Sequence, residues 1–183
     1  MKEKDTDKRI NDPEKGSRLP ILVTIVGRSE SGKTTLMEKL IPEFRKRGLR
    51  VGTIKHHLHD FDIDHPGKDS RRHKQSGSET TIISSPHMIG MVMDVDHDHS
   101  LEELLPFFNG KDIVISEGYK KADIPKVEIF RPEVHDRPVC ENDETLIAIM
   151  TDADVHLDVP RFGTGDVKRL ADFLVRHFEL DKR

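Results

Sequence analysis

Hydrophobic and polar positions along the chain change period several times, and each change marks an element. Ile21 to Val26 is a short run rich in apolar β-branched residues, which predicts a buried parallel strand. The period then lengthens. Leu36, Leu40, Ile41 and Phe44 recur at helical spacing against polar Glu38, Lys39, Glu43 and Lys46, predicting a helix over roughly Lys33 to Arg47. Pro42 lies inside that pattern and predicts a kink or an early end, with Gly48 as the C-terminal cap. Leu49 to Ile54 reads as the next strand, and such a β-α-β crossover builds a parallel sheet.

Further along, Asp69 or Ser70 is placed to cap a helix over Arg71 to Gln75 that Gly77 closes. Thr80 to Ser84 and Met88 to Val95 predict a hairpin turning through Ser85-Pro86-His87. Ser100 with Glu103 forms a capping box that opens a helix through Leu101, Leu104, Leu105 and Phe108 and ends at Gly110. Asp112 to Ser116 predicts a short buried strand. Lys126 to Arg131 alternates like a strand with one solvated face, and Pro132 to Glu144 is turn-rich and acidic, a loop. Leu146 to Met150 is the last clear strand, and Asp166 to Phe178 is the last helix, with Val167, Leu170, Phe173, Leu174 and Phe178 turned inward. Residues 1–18 lack periodic hydrophobics and predict a disordered tail; residues 19–183 are expected to form a single domain.

Composition narrows the picture. Acidic and basic residues nearly balance, 34 against 30, for a net charge of −4. Such a chain offers no broad basic surface, so nucleic acid is not expected as a partner. Its single cysteine, Cys140, excludes an internal disulfide and a Cys-pair zinc site and fits a reducing interior. No apolar run reaches the length of a membrane span and the N-terminus has no hydrophobic signal core. A cytoplasmic protein is expected.

Between the first strand and the first helix stands Gly27-Arg-Ser-Glu-Ser-Gly32-Lys33-Thr34, a full match to the Walker A pattern G-x-x-x-x-G-K-[ST] in the strand–loop–helix context its mechanism needs. Its glycines let the backbone N–H groups converge on phosphate oxygens at a helix N-terminus. Lys33 would reach the β- and γ-phosphates and Thr34 would help hold Mg²⁺. The fold class expected is α/β, a P-loop NTPase with a mostly parallel central sheet flanked by helices and a β-hairpin excursion. Glu117, at the end of a strand and before Gly118, is the expected acid across the site, and Asp62 and Asp60 compete with it for metal or water. Thr151-Asp152 after a strand could read a guanine through its N1–H and amino group; an ordinary strand-end turn is an equal alternative.

Two further clusters have bland alternatives. His56, His57, His59 and His65 suit Zn²⁺ or Ni²⁺, yet loop histidines commonly lie in solvent or near phosphates. Asp60-x-Asp62-x-Asp64 and Asp94-x-Asp96-x-Asp98 fail as calcium loops, because His replaces the glycine and Arg71 or Leu105 the closing glutamate. Arg28 is expected to point outward, and Cys140 to be structural or idle.

Taken together these stretches resemble the molybdopterin-guanine dinucleotide biosynthesis protein B (MobB) family. The resemblance rests on Gly27 to Thr35 with Leu36 to Pro42, and on Thr53-Ile-Lys-His56. It rests also on Phe61 to His73, the discriminating segment, and on Ile113 to Lys120 with Pro125 to Glu128. It implies a homodimeric GTP-binding adaptor with weak Mg²⁺-dependent GTPase activity, assisting the guanylyltransferase (MobA) that joins GMP to molybdopterin. Carried onto this chain, the nucleotide-binding residues are Gly27, Glu30, Ser31, Gly32, Lys33, Thr34, Thr35, Lys55, His56 and Asp152, where Thr151-Asp152 matches part of the four-residue guanine signature of small GTPases. Lys33, Glu117 and Asp62 are the catalytic candidates, and Thr34, Glu117 and Asp62 the metal ligands. An ATP-dependent small-molecule kinase and a His-rich metallochaperone GTPase are the alternatives; the first lacks an arginine-rich lid and the second a Cys-containing ligand pair.

Overall fold

The computed structural model describes residues 19–57, 59, 61, 65 and 67–182. The N-terminal segment and Asp60, Asp62 and Asp64 lie outside the described residues. The described residues form two compact units: one contains those of 19–56 and 101–182, the other those of 57–100.

The first unit is a parallel sheet of six strands. In chain order these are β1 (Ile21–Val26), β2 (Val51–Lys55), β5 (Ile113–Glu117), β6 (Lys126–Ile129), β7 (Leu146–Met150) and β8 (Arg161–Phe162). They lie side by side as β2-β5-β1-β6-β7-β8, with every pairing parallel. From β1 the chain goes first to one side and later to the other, which leaves a crevice beyond the carboxyl end of β1 where ligands bind in such sheets. Helices α1 (Lys33–Lys46) and α4 (Val167–His177) cover one face. Leu36, Leu40 and Phe44 of α1 meet Leu170 and Leu174 of α4 over Val23, Ile25, Ile113 and Ile115 in the main core. On the other face Leu101, Ile54, Val114 and Ile124 make a smaller core, with Phe108 packed against it. Phe108 lies so close that a Cβ on Gly52 would sit 2.3 Å from its ring.

Helix α1 runs through Pro42 to Lys46 and does not end early. Proline removes one backbone bond and frees the carbonyl four residues back. Both Pro42 and Glu38 lie on the exposed side of the helix, where solvent can satisfy that carbonyl, while buried Leu40 and Phe44 hold the helix down. The helix closes as expected: Gly48 N–H donates to Arg45 O and Leu49 N–H to Phe44 O, with Gly48 at φ +80°, a Schellman ending. Arg47 donates to Glu43 on its own helix and to Asp172 of α4, tying the two helices.

Other expectations need correction. The helix after Ser100 is a single α turn, α3 (Leu101–Leu104), followed by a 3-10 turn at Leu105–Phe108 where Pro106 supplies no N–H. Leu146–Met150 is not the last strand, since the two-residue β8 follows it. The largest correction concerns β6. Its alternate positions are not solvated: Lys126 and Glu128 are both buried, because β6 lies between β1 and β7 and loops cover its polar side. Lys126 Nζ donates to Ala122 O at 2.6 Å and to Thr145 Oγ1, and pairs with Asp143 at 3.1 Å. Glu128 accepts from the backbone N–H groups of Val139 and Cys140 at 2.6 and 2.9 Å. Each buried charge is thus satisfied. Cys140 is itself buried, and burial pushes its thiol up to about 12, so it is unreactive.

The second unit is built from α2 (Asp69–Gln75) and an antiparallel hairpin of β3 (Thr80–Ser84) and β4 (Ile89–Met93). Asp69 and Ser70 belong to the helix; its cap is Lys68, with no side-chain cap bond. Among the described residues no helix is long and apolar enough to cross a membrane.

Candidate functional site

Five strand ends and one loop converge on the crevice beyond β1. The loop is Gly27–Thr35, joining β1 to α1. At Gly27 a Cβ would lie 2.6 Å from Ile129 O and 2.6 Å from Ser31 Oγ, and φ is +148°, so only glycine fits. Glu30 and Gly32 have φ of 62° and 97°, and such reversals turn successive N–H groups toward one centre. Helix α1 then begins without a side-chain cap and without an acidic residue in its first turn. Its first N–H groups therefore face the crevice unneutralised, an arrangement suited to an anion. Ser31 is fully buried, and its Oγ finds no hydrogen-bond partner among the described residues.

Charge gathers beside this loop. Lys33 Nζ donates to Arg28 O at 2.7 Å, lying back over the loop. Its pKa is lowered, first by burial and then by Lys120 and Lys55, against the raising effect of Glu117. Glu117 ends β5, with Lys55 of β2 and Ile25 of β1 as its register partners. Its two carboxylate oxygens stand 3.5 and 3.4 Å from Thr34 Oγ1. A hydroxyl facing a carboxylate is the hard-oxygen donor set that Mg²⁺ takes while keeping several waters. His56 is fixed through its backbone, which donates to Glu117 O at 2.9 Å, and its ring stacks on Tyr119 at 4.3 Å.

Across the crevice, the ends of β6, β7 and β8 border an open cavity of about 220 Å³. The loop from Phe130 to Val134, Asp152 and Thr164 line it. Thr164 donates to Asp152 twice, from its backbone N–H to Oδ1 at 2.9 Å and from its hydroxyl to Oδ2. These bonds, with a smaller contribution from Arg131, hold the Asp152 carboxyl below the usual range. The same loop grips the glycine loop: His135 Nε2 donates to Ser29 O at 2.8 Å, and Arg131 lies against Gly32.

The expected residues Gly27, Glu30, Ser31, Gly32, Lys33, Thr34, Thr35, Lys55, His56 and Glu117 thus gather on one side of the crevice, and Asp152 faces it from the cavity. Asp62 lies outside the described residues. His57 is engaged locally, its Nδ1 accepting from His59 N–H at 3.2 Å, and among the described residues no three His, Cys, Asp or Glu side chains converge as a metal site. Sequence reasoning missed Arg131, His135, Lys120 and Thr164. Only Thr164 carried a local signal, a Gly-Thr-Gly-Asp turn opening the last helix.

Residues 22–152 match the family model described as molybdopterin guanine dinucleotide synthesis protein B, MobB. The molybdopterin-guanine dinucleotide biosynthesis adapter protein of Escherichia coli (strain K12) is 35% identical over 167 residues, covering 87% of this chain and 94% of the relative. Its Haemophilus influenzae counterpart is 36% identical, covering 88% and 93%. Among solved structures, a molybdopterin-guanine biosynthesis protein B superposes with a TM-score of 0.69 at 28% identity, covering 86% of this chain and 99% of that one. Bacillus subtilis MobB superposes at 0.67 with 28% identity, covering 85% and 96%.

Proposed function

Because the chain belongs to the molybdopterin guanine dinucleotide synthesis protein B family, we propose that it is a GTP-binding adapter in molybdenum cofactor maturation. Its partner in this reading is a cytoplasmic molybdopterin guanylyltransferase. One observation carries the nucleotide assignment: a single crevice presents converging N–H groups with Lys33 on one side and a cavity holding Asp152 on the other. The loop and Lys33 would bind the phosphates, and Asp152 would accept from the N1–H and amino group of guanine. Thr34 and Glu117 would hold Mg²⁺, which supplies charge neutralisation on the β- and γ-phosphates.

Hydrolysis is slow in this reading. Glu117, the carboxylate beside Lys33, is engaged with Thr34 and so is not free to orient an attacking water. An adapter needs its nucleotide held rather than turned over. The test is calorimetric titration of the full chain, with GTP or ATP and Mg²⁺, into purified molybdopterin guanylyltransferase. A saturable complex is expected with GTP present, and no complex in either nucleotide state sinks the adapter role.

The homodimer is assigned to the hairpin. By register, Ile82, Ile89, Met91 and Met93 share one face of β3–β4, and they are 57, 71, 39 and 40% exposed. A two-stranded ribbon with an uncovered apolar face is marginal in water. The identical face of a second copy matches it by symmetry. Sedimentation of the full chain is expected to give a dimer that Met91→Glu with Ile89→Glu converts to monomer; a wild-type monomer contradicts the assignment.

A further inference from the structure

We propose that Arg131 is a base-reading residue which, opposite Asp152 in the same cavity, selects guanine. This rests on the nucleotide reading above and adds to it a specificity-determining side chain. Arg131 follows β6, the strand beside β1. A Cβ built on Gly32 would stand 3.8 Å from both Nε and Cζ of Arg131, and the same side chain lines the cavity with Asp152 and Thr164. The guanidinium therefore stands between the residue that leads into α1 and the carboxylate beyond β7. A nucleotide with its phosphates on the glycine loop and its base in the cavity must pass it.

The cavity is about 220 Å³, smaller than the roughly 300–1,000 Å³ of pockets that enclose a whole small ligand. It suits one part of a nucleotide, the flat base. Of its three charged lining residues, Arg131, Glu133 and Asp152, the first and last are opposite in hydrogen-bonding character: ionised Asp152 only accepts, and Arg131 only donates. Guanine presents acceptors at O6 and N7 and donors at N1 and the 2-amino group. A carboxylate on the donor edge and a guanidinium on the acceptor edge match it at both, and Arg is the usual bidentate partner of O6 and N7. Adenine keeps N7 but sets its 6-amino group where the guanidinium needs O6, and unprotonated N1 against the carboxylate. Rejection comes from two mismatches rather than one.

Asp152 is already oriented by Thr164, whereas among the described residues the Arg131 guanidinium makes no hydrogen bond or ion pair of its own. Its donors are available to a ligand. Because Arg131 is exposed, replacing it leaves the core untouched.

The experiment titrates the wild-type chain, Arg131→Met and Arg131→Lys with GTP, inosine triphosphate, ATP and inorganic tripolyphosphate, all with Mg²⁺. Inosine keeps O6, N7 and N1–H and lacks the 2-amino group, so it retains the whole edge assigned to Arg131 and loses only part of the contact assigned to Asp152. In Arg131→Met, GTP and inosine triphosphate are expected to weaken roughly 10- to 100-fold, the range of one bidentate contact. ATP and tripolyphosphate are expected to change less than about 2-fold, which also certifies folding. Arg131→Lys should restore only part, because an ammonium cannot donate as a planar fork. Equal weakening of GTP, ATP and tripolyphosphate would make Arg131 a phosphate ligand and overturn the proposal, as would an unchanged GTP-to-ATP ratio. A wild-type chain that binds tripolyphosphate but shows no guanine preference overturns the nucleotide reading itself, a distinct failure.

Discussion

In the proposed reading the two sides of the crevice would recognise a nucleotide in different ways. On the proposed phosphate side, Gly27–Thr35 is one continuous stretch whose work would be done by backbone N–H groups, with Lys33 and Thr34 as additions. On the base side, Arg131, Asp152 and Thr164 come from the ends of β6, β7 and β8 and meet only when the sheet forms. Backbone recognition of phosphate is indifferent to the base attached. Selectivity must reside in the second group, so affinity and selectivity should separate under mutation.

Lys33→Ala gives the sharpest break. It should weaken GTP and ATP alike, by about 3 kcal/mol or roughly 100-fold, the loss of a charge-assisted contact to phosphate; a GTP-specific loss would mean that the two sides are not separable. The same lysine predicts a pH dependence. Its pKa is lowered in the nucleotide-free chain, and a bound polyphosphate favours its protonated form. Affinity should be flat below the lowered pKa and fall as pH rises through it, earlier than for an ordinary lysine, with proton uptake on binding measurable by calorimetry in two buffers.

Glu128→Ala attacks the support of the base side and leaves Gly27–Thr35 intact in sequence. Two buried N–H groups lose their acceptor, at a cost of about 2–4 kcal/mol in stability, read as a lower urea midpoint at unchanged slope. Asp152→Asn should reduce GTP binding roughly 10- to 50-fold and leave ATP and tripolyphosphate nearly unchanged. Thr164→Val is the mildest. It keeps the backbone bond to Asp152 and removes the hydroxyl one, so the loss of GTP affinity should be smaller than in Asp152→Asn. Its sign in pH is definite. Thr164 holds the Asp152 pKa down, so guanine preference in wild type should persist well into acid and disappear as pH falls through that depressed pKa; the valine variant should lose it at higher pH.

The same contrast explains what could be read in advance. Strands β1 and β7, the helix from Lys33 and the loop between were legible because their signals are contiguous: periodicity, glycine spacing and a strand–loop–helix order. Glu117 was legible from its place at a strand end. Lys126 and Glu128 misled, because alternation with charges ordinarily marks a solvated face. Whether a charge is buried depends on partners such as Asp143, Thr145 and the Val139–Cys140 backbone, which fall beside β6 only in the folded chain. Strand β8 was missed because two residues carry no period. Arg131 was hidden for the reason that makes it interesting: nothing local distinguishes it from any charged residue closing a strand.

The most direct test of the account is competitive titration of GTP and ATP, with Mg²⁺, into the wild-type chain and Asp152→Asn side by side. The account predicts tighter binding of GTP in wild type and a collapse of that preference in the variant, with ATP affinity retained. Equal affinity for the two nucleotides in wild type, or a preference for ATP, would contradict it.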